Sequence, residues 1–153
     1  MSRIDFYHLQ KQSLDEVLPV LLNKAYATGK RILLKIGKPE DMERINSWLW
    51  TYSDESFLPH GSKKDGFADQ QPIWLTSDDD NPNQAEFLFL ADGAEVSIEI
   101  ITKFERVFNI FDGRSEEALS QARRLWKTYK DAGNEVYYWQ QSDRGAWQQK
   151  MFV

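Results

Sequence analysis

Three short runs of consecutive apolar residues set the class of fold open to this chain. Ile32-Leu33-Leu34 with Ile36, Phe87 to Leu90, and Val107-Phe108 with Ile110-Phe111 are each bounded by turn residues, among them Gly29, Gly37, Pro39, Asp92-Gly93 and Asp112-Gly113. A strand apolar at every position, rather than at every second one, has both of its faces covered. Strands of that kind belong to parallel sheets, whose neighbours must be joined by a crossover, usually a helix. Candidate crossover helices lie between the runs. Ser13 with Glu16 three residues on has the capping-box pattern, and Val17, Leu18, Leu21, Leu22 and Ala25 follow at helical spacing. Pro19 lies in the early part of this segment and is also compatible with a helix that starts there, and Gly29 ends it. Glu40 to Trp50 reads as a second helix, and Ser115 to Ala132 as the longest, with Glu116 and Glu117 in its first turn and Gly133 as its stop.

Further strands are predicted over Ile4–Leu9, Ile73–Thr76 and Val136–Trp139, while Val96–Ile101 fits either a strand or a short helix. The stretch 51–71 reads as irregular, and 77–84 as an acidic turn region. The strand–helix alternation predicts a single α/β domain over residues 1–153, with no account of the tail after about residue 140. The length of 153 residues suits one domain.

Composition excludes several classes of function. Without cysteine there is no disulfide and no thiolate metal site or nucleophile. No apolar run is long enough to span a membrane, and the first residues lack the apolar stretch of an export signal, so a cytoplasmic location is expected. A net charge of −5 argues against bulk binding of duplex phosphates as the main function. Six Trp, six Tyr and nine Phe exceed what this length needs, and aromatic residues serve both cores and interfaces.

Catalytic signatures are scarce. Gly37-Lys38 lacks the upstream glycine of a phosphate loop and is followed by Pro39. Neither a Gly-x-Gly-x-x-Gly turn nor a Gly-x-Ser-x-Gly elbow occurs. His8 and His60 alone do not make a metal site, and Asp78, Asp79 and Asp80 read as a solvated turn before a cation site. Asp54 and Glu55 could form an acid–base pair. No catalytic residue, metal site or cofactor is therefore expected. Two rival readings stay open: a nucleotide- or nucleic-acid-binding α/β domain, and a hydrolase working through Asp54 and Glu55.

The last long helix carries the most informative surface. On a wheel of about 100° per residue, Ala118, Ala122, Leu125 and Tyr129 form one narrow stripe that should face the sheet. Leu119 and Trp126 fall at its edge, followed by Arg123, Lys130 and Lys127. Such an edge reads either as a solvated basic face beside a half-buried indole or as a groove for an acidic peptide with an apolar end. In the second case the cations would attract carboxylates, and an arginine could grip a terminal one with two parallel hydrogen bonds.

Taken together, these segments resemble the bacterial DNA polymerase III chi subunit family over almost the whole chain. The match runs through Asp5-Phe6-Tyr7 with Leu9, Gly29 to Leu34, Leu49-Trp50, Glu55 to His60, Pro72 to Leu75, and the helix from Ala122-Arg123 to Ala132-Gly133. The resemblance implies a central, mainly parallel (mixed) sheet flanked by helices, Rossmann-like but without a nucleotide-binding motif. It implies a non-catalytic subunit that pairs with the psi subunit, reaches the clamp loader through psi, and meets DNA only indirectly. It also implies binding of the acidic C-terminal tail of single-stranded DNA-binding protein (SSB). Family positions for the tail fall on Arg123, Trp126 and Lys127, with Lys130 as helper, and those for psi on Trp50, Phe57 and Pro59. Two positions depart from the family pattern: Trp126 stands where tyrosine is usual, and Leu119 where a lysine is.

Overall fold

The structure is a computed structural model that describes residues 2–53 and 58–151. Its elements run β1 (Arg3–Leu9), α1 (Leu14–Tyr26), β2 (Ile32–Ile36), α2 (Met42–Thr51), β3 (Gly61–Ser62), β4 (Ile73–Thr76), β5 (Phe87–Ala91), α3 (Ile98–Ile101), β6 (Arg106–Asp112), α4 (Glu116–Asp131), β7 (Glu135–Gln141) and β8 (Trp147–Lys150). All strands join one eight-stranded sheet in the order β3-β4-β2-β5-β6-β1-β7-β8. Every pairing is parallel except β7 with β8. The expected mainly parallel, mixed α/β sheet is what the chain forms.

Alternation along the strands feeds two cores. Ile32, Leu34 and Ile36 of β2, Phe87 and Phe89 of β5, and Phe108 and Ile110 of β6 pack with α1 and α2 on one face. Leu33, Leu88, Leu90, Val107 and Phe111 pack with α3 and α4 on the other. That division is why the three apolar runs have no polar alternation. The buried side chains of α4 are Ala122, Leu125 and Tyr129, three members of the stripe read from the wheel.

Helix α1 shows both halves of the capping box, with Ser13 accepting from the Glu16 backbone and Glu16 accepting from the Ser13 N–H at 3.1 Å. It runs through Pro19 rather than starting there. Proline has no N–H to give the Asp15 carbonyl four residues back. The Trp48 indole of α2 donates to that carbonyl at 2.7 Å, so the proline locks the two helices together. The ambiguous segment at Val96–Ile101 resolves as the short helix α3, and β6 begins at Arg106, one residue ahead of the apolar run at Val107.

The tail left without account forms a hairpin. Gly145, with φ of 82°, turns the chain after β7, and β8 pairs back so that Gln141 faces Trp147 and Tyr138 faces Lys150. Among its described residues, the irregular stretch forms the two-residue strand β3 at the opposite edge.

Candidate functional site

A cleft of about 800 Å³ opens beyond the C-terminal ends of β1 and β6, between the starts of α1 and α4. Ligands of open α/β sheets bind at such a switch point, so this is where a nucleotide would sit. The local chemistry does not favour one. Asp15, Glu16, Glu116 and Glu117 fill the first turns of both helices, where a phosphate would need positive potential. The cations at the rim are paired: Arg44 with Asp15 at 2.8 Å, Arg114 with Asp112 at 3.0 Å and Arg124 with Glu95 at 3.1 Å.

Asp92 lines the same cleft. Burial, helped by the adjacent Asp41 carboxyl, pushes its carboxyl up to about 6. The folded state therefore binds a proton that the unfolded chain, with an ordinary aspartate, gives up near pH 4. Stability should fall as pH rises from about 4 to about 6 and stay penalised above. Asp92 sits at φ of 57°, which asparagine tolerates. Asp92→Asn is expected to raise stability at pH 7 by about 1–2 kcal/mol and flatten that pH slope, as read by urea unfolding between pH 4 and pH 7.

The aspartate run of the acidic turn serves the fold. Lys35, nearly buried on β2, pairs with Asp79, and Thr76 donates to Asp80 at 3.1 Å. A lysine ammonium supplies the positive charge there. Among the described residues no group of three or more His, Asp or Glu could hold a metal ion. Asp54 and Glu55 lie outside the described residues.

The cationic edge of α4 is laid out as the wheel reading expected. Arg123, Lys127 and Lys130 are exposed, while Trp126 is half-buried. The indole meets Phe6 of β1 edge-on at 5.5 Å and Tyr138 of β7 at 6.4 Å. Its buried side fixes the ring, leaving a rigid apolar step beside the three cations.

Beneath this edge lies a pair that sequence reasoning did not find. Tyr138, 5% exposed, and His8, 7% exposed, share a short hydrogen bond through the tyrosine hydroxyl and His8 Nδ1. Burial, assisted by the Arg123 charge, pushes the His8 imidazole below its ordinary value. A Cβ on Gly113 would lie 1.7 Å from His8 Nε2, so only glycine leaves the ring its place. The two partners are 130 residues apart in sequence, and no local pattern joins them.

A second cluster lies at the end of α2, on the other face of the sheet. Trp50 is 44% exposed and rests on the ring of His60 at 4.1 Å. His60 itself is buried, with Nδ1 2.6 Å from the Leu58 carbonyl and Nε2 3.1 Å from the Asn46 carbonyl. It acts as a rigid base for the tryptophan. Pro59 is half-buried beside it, and Phe57 lies outside the described residues.

A model of the family described as DNA polymerase III chi subunit, HolC, matches residues 1–137. The chain belongs to the DNA polymerase III chi subunit family. Chi membership makes it an accessory subunit of that polymerase complex. A relative, the probable DNA polymerase III subunit chi of Rickettsia prowazekii (strain Madrid E), is 30% identical over 117 residues, covering 73% of this chain and 71% of that protein. The chi match takes in all of α4 and the Trp50–His60 cluster, while β8 falls beyond it. No helix among the described residues of this chi-family chain is long and apolar enough to cross a membrane.

Proposed function

We propose that this chi-family chain is a non-catalytic tether, a single domain working in the cytoplasm without a cofactor. It binds psi, and through psi the clamp loader, with Trp50, Phe57 and Pro59. It holds the acidic C-terminal tail of SSB with Arg123, Trp126, Lys127 and Lys130. The observation that carries this reading is the anchored indole of Trp126 beside exposed cations. A rigid aromatic step takes an apolar terminal side chain, and the cations take the carboxylates.

The two surfaces lie on opposite faces of the sheet, α2 on one and α4 on the other. Both partners can then bind at once, as a tether requires. Each link raises the local concentration of polymerase near SSB, so moderate affinities suffice.

Retention of psi and an SSB-tail peptide on one molecule tests the reading. Immobilised tail peptide should retain the chain and psi together, whereas mutual exclusion of the two would contradict it. Trp50→Ala should weaken psi binding by about 30-fold, the effect of losing a central interface tryptophan, and leave tail binding unchanged. Loss of both on titration would show that Trp50 supports the fold instead.

A further inference from the structure

We propose that the C-terminal strand β8 builds the far wall of the peptide groove and that Lys150 is a further cation of the site. This inference rests on the tail-binding reading and extends it to a segment beyond the family match.

Strand register carries the argument. Phe6 of β1 pairs with Tyr138 of β7, and Tyr138 faces Lys150 of β8. His8 pairs with Gln140, which faces Gln148. Residues directly opposite in neighbouring strands project to the same side of a sheet. Phe6 and Tyr138 belong to the core beneath α4, so both rows rise on the α4 face. Trp126 stands on the first row through its contacts with Phe6 and Tyr138. Lys150 therefore emerges one strand beyond the indole, and Gln140 and Gln148 continue the floor next to His8.

The charges of this floor fit an acidic peptide. The carboxylates of β1, β7 and β8 are Asp5 and Glu135. Alternation sends both to the opposite face: Asp5 bonds Trp139, which packs in the other core, and Glu135 is out of phase with Tyr138. In a chain of net charge −5, three strands thus present amides and a lysine, and no acid, beside the cations of α4. Asp131, in the last turn of α4, is the acid nearest in sequence to Lys130. The occupant is the acidic segment of the tail upstream of its apolar end. It lies between α4 and β8, its carboxylates shared between Lys150 on one wall and Lys127 and Lys130 on the other.

Fluorescence anisotropy with a labelled ten-residue peptide tests this. The probe carries consecutive aspartates and ends in phenylalanine with a free carboxylate. Lys150→Glu should weaken binding by about ten-fold and lower its salt dependence. Gln149→Glu, the adjacent residue on the opposite face, should change it by less than about two-fold. Both positions are exposed, and matching melting curves will confirm an intact fold. If Lys150→Glu leaves affinity within two-fold, or the two variants behave alike, while Arg123→Ala still weakens binding, the role of β8 is refuted and the tail-binding reading stands. If the wild-type chain does not bind the probe, both fall.

Discussion

Asp5→Ala should destabilise the protein by about 3–5 kcal/mol, the cost of removing one partner from a buried ionic cluster. Asp5 is 0% exposed at the middle of the sheet. Its carboxylate receives Arg3 Nε at 3.2 Å and Nη2 at 3.1 Å, Arg106 Nε at 2.9 Å and the Trp139 indole at 2.9 Å. Arg3 and Arg106 are register partners on adjacent strands, so without Asp5 two guanidiniums face each other across the ladder. Their planes also lie over Tyr137 and Phe108, at 4.4 Å and 4.5 Å, and those stacks would loosen with them. The melting midpoint should fall by about 10 °C. Asp5 is flanked by Phe6, whose ring supports Trp126 on the other face. A loss of tail binding that follows the loss of structure is expected as well. A melting midpoint within about 2 °C of wild type would show that the cluster contributes little.

Arg123→Ala should weaken binding of an SSB-tail peptide by about 10- to 100-fold and leave the fold intact. A charge-assisted bidentate hydrogen bond contributes about 1.5–3 kcal/mol, which sets that range. Arg123 is exposed on α4, outside the buried stripe of Ala122, Leu125 and Tyr129, so its removal opens no cavity. Alanine also favours the helix. Arg123→Lys should recover only part of the loss, because lysine keeps the charge without the planar fork. Titration calorimetry of the two variants separates this from a screening effect. Equal affinities for Arg123→Ala and wild type would remove Arg123 from the site.

Much of the fold was legible in the sequence because local chemistry and tertiary packing agree. Ser13 and Glu16 state the start of α1, and Ile32-Leu33-Leu34 of β2, apolar at three successive positions, state a strand covered on both faces. The stripe on α4 separates Leu125 and Tyr129 from Arg123 and Lys127 by helical period alone. Other features depend on distant partners. Strand β8 has Trp147 as its single apolar residue, and it exists because β7 offers an edge. The two residues of β3 are a strand only through pairing with β4. Pro19 reads as a possible helix start until Trp48, from another helix, supplies the missing donor. His8 and Tyr138 look like ordinary strand residues until the parallel pairing of β1 and β7 brings their side chains together, with Tyr138 against Trp126.

The central claim is that the α4 edge receives a negatively charged peptide terminus. Its most direct test is a calorimetric titration of the unmodified chain with the last ten residues of the organism's SSB, as free acid and as C-terminal amide, at low and high salt. The account predicts saturable one-to-one binding of the free acid, weakened about ten-fold or more by amidation and again by salt. Equal binding of acid and amide, or no saturable heat at low salt, would contradict it.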